Sequence, residues 1–367
     1  TERQLLAVLP GLKHRGIETA VFTLQAGGVL APVMRDAGID VFEGIGGRGW
    51  HSLPALMIRL TRQLRVYRPN VMHFFLPEAY VVGSICSMFT GTARRVMSRR
   101  SLDDYQRKYP GFRTLESALH RVTTVLLGNS RAVVAQLKGE GAAPSKIGLI
   151  YNGIAPSALP STDEVQRARD QLNLADGVVA GLTIGNLIPY KGHMTLLDAI
   201  AALPDKAKNA LVWFCVGRDD GIGADLQRHA DEVGIGSIVR WEGEKDDLSV
   251  YLSACDIAAL PSSQEGFSNS LLEKMRAGLA TVATDVGGNP DALGDCGLLV
   301  PPDDEGALAR ALLALIESED RRALGRAAHD RVMQRFGLEQ CARQYADLYD
   351  NLASGAVMPM PESIRIT

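Results

Sequence analysis

The sequence alternates short apolar runs with amphipathic helical segments along nearly its whole length, and this alternation limits the folds open to it. Short apolar runs bounded by Gly, Pro or Asn are typical of strands buried on both faces. Helices between such strands connect parallel strands of one sheet. A chain of 367 residues is long enough for two sheets of this kind. The sequence therefore predicts an α/β protein made of two Rossmann-like, doubly wound parallel-sheet domains that face a cleft.

The periodicity places the individual elements. Strands are predicted over 19–24, 40–42, 71–75, 95–98, 124–128, 147–151, 178–184, 211–216, 238–241, 257–260, 281–284 and 297–299. Helices are predicted over 5–14, 29–37, 53–67, 81–89, 115–121, 131–138, 163–172, 194–203, 223–233, 248–254, 269–277, 290–293, 305–318, 320–336 and 338–351. Ligands of doubly wound sheets bind at the carboxyl ends of the strands, so we expect the functional residues in the loops there.

Composition suggests where one domain ends and the next begins. A loop rich in Ala, Ser and Pro separates an acceptor-side domain over 1–154 from a donor domain over 155–337, and a C-terminal helix over 338–357 is expected to cross back to the first domain. No strand precedes the first helix. The segment 358–367 begins with Met and ends in an apolar-polar alternation. It is expected to supply the missing first strand, as the true N-terminus placed last; the alternative is a frayed C-terminal tail.

The charge distribution and the cysteine content limit the possible classes of protein. The first 150 residues hold 20 Lys and Arg against 10 Asp and Glu, a net charge of +10, and the remainder holds 19 against 32, a net charge of −13. The basic half suits an anionic acceptor or membrane surface, or the two halves simply attract each other. Five scattered Cys without a CxxC pair indicate reduced thiols, and no run of 18 apolar residues occurs. We expect a cytoplasmic protein with peripheral contact at the inner face of the membrane.

A pair of glutamates marks the most informative stretch, Glu265-Gly-Phe-Ser-Asn-Ser-Leu-Leu-Glu273. Ser268 or Asn269 can cap the helix that begins there. Free backbone N–H groups at a helix N-terminus bind phosphate, and a carboxylate on each side accepts hydrogen bonds from sugar hydroxyls. An anion cradle with two hydroxyl acceptors is what a nucleotide-sugar site needs.

Several motifs, taken in order, resemble the retaining glycosyltransferases of family 4, which have the GT-B fold. The likeness covers nearly the whole chain. It rests on Thr1-Glu-Arg-Gln-Leu5, Tyr151-Asn-Gly-Ile154, Gly185-Asn-Leu187 with Lys191-Gly192, Pro261-Ser262 through Glu273-Lys-Met-Arg-Ala-Gly278, Thr284-Asp-Val-Gly-Gly-Asn-Pro290 and Gly297-Leu-Leu-Val-Pro301.

The resemblance implies roles on the donor side. Glu265 would face the donor sugar, and Glu273 would hold the ribose hydroxyls. Lys191 would neutralise charge on the departing nucleoside diphosphate. Of these residues, Lys191 and Glu265 are the predicted catalytic pair. The remaining predicted donor-binding residues are Asn186, Gly266, Phe267, Ser268, Asn269, Glu273, Arg240 and Trp241, with the diphosphate at the backbone amides after Gly266 and the base beside the strand that carries Arg240.

The chain departs from the family pattern at two places. Asn186 stands where the family usually has Arg, and Arg218 or Arg240 is a candidate to compensate for the missing charge. No His follows the fourth strand. The residues predicted on the acceptor side or in the cleft are His73, Arg99, Arg100 and Ser101, although a packed core His is an equal reading of His73. A front-face mechanism, in which the leaving phosphate oxygen takes the acceptor proton, fits that lack of His.

A basic loop with interleaved aromatic residues forms a cluster with arginines of the fourth strand of the first half. Its members are Arg94, Arg95, Arg99, Arg100, Arg107, Lys108 and Arg113, with Tyr105, Tyr109 and Phe112. Such a loop suits anionic lipid headgroups or a pyrophosphate, and a solvated loop is the alternative. No motif supports nucleic acid. The glycines at 44, 46 and 49 match a dinucleotide fingerprint, but the next strand ends in His73-Phe74-Phe75 without the acidic residue that NAD requires.

The function indicated is transfer of a sugar, with retention, from a UDP- or GDP-linked donor to a hydroxyl of a lipid-linked or polysaccharide-precursor saccharide. No metal or other cofactor is expected, because Lys191 and a helix dipole can supply the positive charge. Two alternatives remain: a non-catalytic nucleotide-sugar-binding protein, and a sugar-nucleotide epimerase of the same architecture, which would need acid and base side chains around the sugar.

Overall fold

The computed structural model describes residues 2–45, 52–92, 94–102, 106, 109–355 and 360–365. The chain forms two compact units, Thr1–Ala155 with Gly337–Thr367 and Pro156–Phe336. Both are α/β units with parallel sheets, so the predicted fold class is confirmed. All five cysteines are free thiols, four of them buried and Cys296 partly so.

The first unit contains six strands and seven helices among its described residues. The strands are β1 (Ala20–Thr23), β2 (Asp40–Glu43), β3 (Val71–Phe74), β4 (Arg94–Arg99), β5 (Val125–Gly128) and β6 (Ile147–Leu149). The helices are α1 (Glu2–Lys13), α2 (Leu30–Asp36), α3 (Leu53–Tyr67), α4 (Pro77–Thr90), α5 (Pro110–Val122), α6 (Arg131–Gly139) and α16 (Leu338–Ala353), the last at the C-terminal end of the chain.

Two parallel sheets organise the first unit. Strands β1 and β2 pair with each other, and β3, β4, β5 and β6 form a second sheet in that order. One face of the larger sheet buries Val96 and Val125 beneath α1 and α16, which pack together, and Tyr345 of α16 joins this core. The other face buries Phe74 and Leu126 beneath α4, α5 and α6. The helix predicted over 338–351 therefore belongs to the core of this unit.

The second unit is built on a single six-stranded parallel sheet. Its strands are β7 (Val179–Ile184), β8 (Leu211–Val216), β9 (Val239–Gly243), β10 (Ile257–Leu260), β11 (Ala280–Thr284) and β12 (Leu298–Val300), in the order β12-β11-β10-β7-β8-β9. Its helices are α7 (Thr162–Gln171), α8 (His193–Ala201), α9 (Asp205–Asn209), α10 (Gly223–Glu232), α11 (Ser249–Ala254), α12 (Asn269–Arg276), α13 (Asn289–Leu293), α14 (Glu305–Glu317) and α15 (Arg321–Arg335).

The sheet of the second unit is covered on both faces, as its continuous apolar strands predict. Trp213 lies in the core on one face and Phe214, its neighbour in β8, in the core on the other. Both side chains are fully buried. Gly181 makes room for the first of them, because a Cβ there would lie 2.2 Å from the Trp213 ring. Every residue of β8 from Leu211 to Val216 pairs with β7, so these two strands form the rigid centre of the sheet.

Most predicted elements are confirmed, and the departures have local causes. Helices α4 and α5 start four and five residues earlier than predicted, at Pro77 and Pro110. Proline is favoured at the first helical position, where its missing N–H costs nothing. Helix α9 was not predicted, since its five residues contain a single buried side chain, Ala207, and show no apolar period.

The segment predicted to form the opening strand adopts another conformation where it is described. Glu362–Ile364 is a 3-10 turn that follows Pro361, and Arg365 forms an antiparallel bridge to Gly148 of β6. Ile364 is nevertheless buried in the core of the first unit. Proline lacks a backbone N–H, so Pro361 cannot donate to a ladder, and its carbonyl accepts within the turn instead; the strand prediction is wrong for Glu362–Ile364. Ile366 and the glycines at 46, 47 and 49 lie outside the described residues.

Candidate active site

The order of strands in the second unit reverses at β7, and the candidate site lies at that point. Strands β8 and β9 lie on one side of β7, and β10, β11 and β12 lie on the other. The ladder between β7 and β10 holds two pairs, Ile257 with Gly181 and Ala258 with Leu182. The loops that follow β7 and β10 start at the carboxyl ends of these two strands. Such a switch point is where open α/β sheets bind ligands.

Lys191 and Glu265 meet across this point. Lys191 ends the 3-10 turn Pro189–Lys191 after β7, and its Nζ lies 2.8 Å from Glu265 Oε1 in the loop after β10. The Ser262 hydroxyl donates to the same carboxylate oxygen at 2.9 Å. Both side chains are mostly buried, with 20% and 10% of their surface exposed. The two predicted catalytic residues therefore form one ion pair.

Two glycines allow the backbone of these loops to approach closely. Gly192 has φ +72°, and a Cβ there would lie 2.0 Å from the Pro261 carbonyl oxygen. Gly287, with φ +54°, packs in the same way against the carbonyl of Glu265. Side chains at either position would push Lys191 and Glu265 apart. The glycines after β7 and β11 thus hold the ion pair at its short distance.

Helix α12 brings the second glutamate to the site. Its N-cap is Ser268, whose hydroxyl accepts from the backbone N–H of Leu271 at 3.4 Å, as one of the two predicted caps. The first amides of a helix have no partner within it, so the start of α12 is an anion-binding end. Glu273 is half-buried in the second turn. Phe267 is buried against Phe336 with ring centroids 5.2 Å apart, so its backbone and not its ring can serve a ligand.

Asn186 belongs to a polar group beside the ion pair. Its side-chain nitrogen donates to Asp220 at 2.9 Å, and Arg218 Nε donates to the same carboxylate at 2.7 Å. These bonds, that from Arg218 first, hold the pKa of Asp220 below its usual value. Arg218 therefore shares a carboxylate with Asn186, and its role as the compensating cation stays a prediction.

His193, at the start of α8, completes the buried surroundings of Lys191. Its Nε2 lies 3.2 Å from the Asn186 carbonyl oxygen. Burial lowers the pKa of His193 to about 4, and the positive charges of Lys191 and Lys274 act in the same direction. The imidazole is therefore neutral at physiological pH and donates to Asn186, which fixes the turn after β7.

Arg240 and Trp241 turn their side chains towards the cores of the second unit. The Arg240 guanidinium donates to the Leu172 carbonyl at 2.6 Å and lies 5.4 Å from the centre of the Phe214 ring. This side chain seals the core on one face of the sheet and does not reach Lys191. Trp241 packs against the core on the other face. The side chain of Arg240 is therefore structural, and base binding by this strand stays a prediction about its backbone.

In the first unit, Arg99 is a buried structural residue. It is 4% exposed and forms ion pairs with Glu116, at 3.1 Å, and with Glu140. Burial opposes ionisation of Glu140, but its bonds to His120 and Arg99 outweigh this and hold its pKa below the usual value. The prediction of Arg99 as an acceptor residue is wrong, because its guanidinium is buried and paired with two carboxylates inside the unit.

We expect Arg99→Met to lower the free energy of unfolding by about 3–5 kcal/mol, since the change leaves two buried carboxylates without their cation. The part of the free energy of unfolding that ionised Glu140 contributes is present at neutral pH. It is lost as pH falls through the lowered pKa of Glu140. The difference from wild type should therefore shrink in acid. Urea denaturation measures it, with the exposed Arg113→Met as the matched control. Equal stability of the two variants would return Arg99 to the list of ligand-binding candidates.

The other residues predicted on the acceptor side lie at or after the carboxyl ends of β3 and β4. His73 accepts and donates within a network, with Nδ1 2.6 Å from the Tyr349 hydroxyl and Nε2 2.7 Å from the Ser98 hydroxyl. Burial, and then the charge of Arg100, lowers its pKa to about 3. Arg100 donates to Asn152 at 2.5 Å, and Ser101 is exposed. His73 is thus a neutral, packed histidine, whereas Arg100 and Ser101 remain candidates.

Three residues that the sequence did not single out take part in the site. Ser262 bonds to Glu265, and Asp220 joins Asn186 to Arg218. Lys274 is fully buried, and the charge of Glu265 acts on it. A lysine beside Glu273 in an exposed-looking helix carries no sequence signal of burial. Within the described ranges, no group of three or more His, Cys, Asp or Glu side chains is arranged to hold a metal ion. No helix among the same residues is both long and apolar enough for a bilayer crossing.

The second unit thus combines a six-stranded parallel sheet with a cation, two glutamates and a helix N-terminus near its switch point. Comparison with known proteins shows the class of enzyme to which the chain belongs. Residues 1–158 match the family model "Glycosyltransferase Family 4", and residues 180–318 match "Glycosyl transferases group 1". The chain belongs to this family of glycosyltransferases.

Curated relatives and solved structures extend the comparison. D-inositol 3-phosphate glycosyltransferase of Streptomyces scabiei is 26% identical over 92% of this chain and 83% of its own length. The same enzyme of Streptomyces bingchenggensis is 29% identical over 59% of this chain, and the match spans 50% of that relative. The crystal structure of HepE of Anabaena in complex with UDP-glucose covers 96% of this chain and 95% of its own, at 22% identity and a TM-score of 0.83. It shares the fold.

Proposed function

We propose that this glycosyltransferase moves a sugar, with retention, from a nucleoside-diphosphate sugar held by the second unit to a hydroxyl of a saccharide acceptor. The observation that carries the proposal is the ion pair of Lys191 and Glu265 at the switch point, next to the N-terminus of α12. A diphosphate needs a cation and backbone donors, and a sugar needs a carboxylate that accepts from its hydroxyls. This edge of the sheet offers all three.

Donor binding would change the partner of Lys191. In the structure, its ammonium neutralises Glu265. The diphosphate carries more negative charge and draws the ammonium away, so that Glu265 is released to accept from the sugar hydroxyls. As the sugar–phosphate bond breaks, charge builds on the leaving oxygen, and a cation held beside it stabilises the transition state. Glu273, one helical turn further, is assigned the ribose hydroxyls.

Retention follows from a front-face reaction. The leaving phosphate oxygen takes the proton of the acceptor hydroxyl, so no side-chain base is required. The neutral, hydrogen-bonded state of His73 supports this, because both its ring nitrogens already have partners. Arg100 and Ser101 are the proposed acceptor contacts of the first unit. An anionic acceptor would suit the guanidinium of Arg100.

A thermal-shift panel of nucleotide sugars tests the donor. UDP-glucose is the first member, since a structural neighbour was crystallised with it, and GDP-mannose represents the other base. Binding at 100 times Kd stabilises the folded state by about 2.7 kcal/mol, which is a clear shift. We expect a shift with one base and consumption of that donor. A shift without consumption, with every acceptor tried, would favour the non-catalytic binding protein. Conversion of the donor sugar to its epimer would favour an epimerase.

Peripheral contact with an anionic membrane would bring a lipid-linked acceptor to the enzyme. Residues 44–100 contain nine arginines and one acidic residue, Glu78. On α3, Ile58 is 70% exposed, and Arg59 and Arg62, one and four residues further along the helix, are exposed as well. Exposed apolar side chains beside arginines fit a lipid surface better than a nucleic acid. Arg107 and Lys108 of the basic loop lie outside the described residues.

We expect Ile58→Asp to weaken binding to phosphatidylserine vesicles about tenfold, because the change removes one apolar insertion and adds a repelled charge. Cosedimentation with vesicles measures it. Val29→Asp is the matched control, since Val29 is 88% exposed elsewhere in the same unit. Equal loss in both variants, or binding that ignores the lipid charge, would contradict docking through α3.

A further inference from the structure

Lys274 is a buried lysine inside the donor side of the second unit. It lies on α12 between Glu273 and Met275, and its side chain is completely excluded from solvent. Its Nζ donates to the carbonyl oxygen of Ala259 in β10 at 2.8 Å. A lysine is almost never fully buried without a reason, since a neutral carbonyl does not offset the cost of desolvating an ammonium. Its surroundings should therefore supply negative charge.

The charged groups that act on Lys274 belong to the proposed donor site. Glu265 and Glu273 favour its protonated form, and Lys191 disfavours it. Burial is the largest influence and lowers the pKa of Lys274 to about 7. Two other helices complete the surroundings. His193 of α8 feels the charge of Lys274, and His329 of α15, which packs on α12, bonds to the Arg276 carbonyl.

The position of the hydrogen bond matters as much as the charge. Pairing between β10 and β7 ends at Ala258, so Ala259 is where β10 leaves its neighbour at the switch point. Lys274 ties α12 to β10 at this residue. The loop with Ser262 and Glu265 starts two residues later, after the last residue of β10. The bond therefore sets the distance between Glu265 on the loop and Glu273 on the helix.

We propose that Lys274 is a positioning residue of the donor site: its buried ammonium ties α12 to β10 and balances the charge of Glu265 once Lys191 has moved to the diphosphate. This inference rests on the proposed function. In the structure, Glu265 has Lys191 as its direct partner. When the donor takes that partner, Lys274 is the buried cation behind Glu265. Donor affinity should then depend on whether Lys274 carries its proton.

The test is the dissociation constant of a nucleotide sugar between pH 6.5 and 8.5, measured by calorimetry with the member of the panel that gives the largest thermal shift. The pyrophosphate of a nucleotide sugar does not titrate in this range. We expect wild-type affinity to fall about tenfold as Lys274 loses its proton. Lys274→Gln and Lys274→Met are a matched pair of equal length. Gln can still donate towards Ala259, and Met cannot.

Both variants are expected to bind about tenfold more weakly than wild type at pH 6.5 and to show no pH dependence. A Gln variant with wild-type affinity and pH profile would overturn the role of the charge. If neither variant folds, the pH dependence of wild-type affinity is the test by itself. A wild-type affinity that stays constant between pH 6.5 and 8.5 would overturn the inference. Absence of binding to every nucleotide sugar at any pH would instead contradict the proposed function.

Stability provides a readout that is independent of the ligand. The pKa of Lys274 is lower in the folded state than in the unfolded chain, so the unfolded state binds more protons between about pH 7 and 10. Wild-type stability should rise with pH across this window relative to Lys274→Met. If the difference in melting temperature between wild type and Lys274→Met stays constant from pH 7 to pH 10, the lysine is not buried as described.

Discussion

Lys191→Met protein is expected to lose about a hundred- to a thousandfold in transfer rate while it keeps its fold. Removal of one group that stabilises charge in a transition state costs this much in other enzymes. Lys191 lies at the end of a 3-10 turn, and its ammonium is 2.8 Å from Glu265, where a departing diphosphate would need a cation. The side chain of Met fills nearly the same volume without charge. Release of nucleoside diphosphate under saturating donor measures the rate.

A matched control is Lys206→Met. Lys206 is exposed on α9, in the connection that leads into the amino end of β8, on the opposite edge of the sheet. We expect wild-type rates from it. Lys191→Arg keeps the charge and should retain part of the activity, since Arg also binds phosphate. A Lys191→Met enzyme whose transfer rate is within threefold of the wild-type rate would show that the diphosphate leaves without help from this lysine.

Glu273→Ala protein is expected to bind the nucleotide sugar about a hundredfold more weakly. Hydrogen bonds to a charged acceptor contribute about 1.5–3 kcal/mol each, and a ribose offers two hydroxyls. Glu273 is half-buried on α12, so part of its hydration is already lost in the free protein. The thermal shift with the preferred donor should therefore nearly vanish at a concentration that shifts the wild type.

Glu317→Ala is the control for this prediction, because Glu317 is exposed at the C-terminal end of α14. Its shift should match that of the wild type. A Glu273→Ala protein with an unchanged shift would remove the ribose role from this residue. If the Glu273→Ala protein loses the thermal shift with free nucleoside diphosphate as well as with the nucleotide sugar, Glu273 contacts the nucleotide and not the sugar.

Local sequence signals predicted the frame of the site. The apolar run before Pro261 becomes β10, and Ser268 caps α12 as its position before the helix suggests. Parallel strands bring their carboxyl ends to one edge, so Lys191 and Glu265 could be placed together although 74 positions separate them. This part of the site depends on rules that act over a few residues and on topology.

Side-chain environment was not predictable in the same way. Arg99 and Arg100 are neighbours in the sequence, but Arg99 is the last residue of β4 and Arg100 is the first residue after it. Arg99 turns inward to Glu116 and Glu140, and Arg100 turns to Asn152. The partners are distant in the chain, and no local pattern connects them. Their roles follow from packing alone.

Lys274 shows the same limit in a helix. The sequence Glu273-Lys-Met-Arg276 reads as a charged, solvated turn around one apolar residue. In the folded unit, Met275 and Lys274 are both buried, because α12 is covered by the sheet on one side and by α15 on the other. A helix covered on two sides buries more than one stripe, and the hydropathy pattern does not reveal which charged residue is taken inside.

The most direct test follows the preferred nucleotide sugar by phosphorus NMR, with purified wild-type protein and a panel of saccharide acceptors, and records the anomeric proton of the product. We expect release of nucleoside diphosphate and a product with the same anomeric configuration as the donor, at a rate that Lys191→Met nearly abolishes. An unchanged donor despite tight binding, or a product of inverted configuration, would contradict a retaining transferase with Lys191 and Glu265 at its centre.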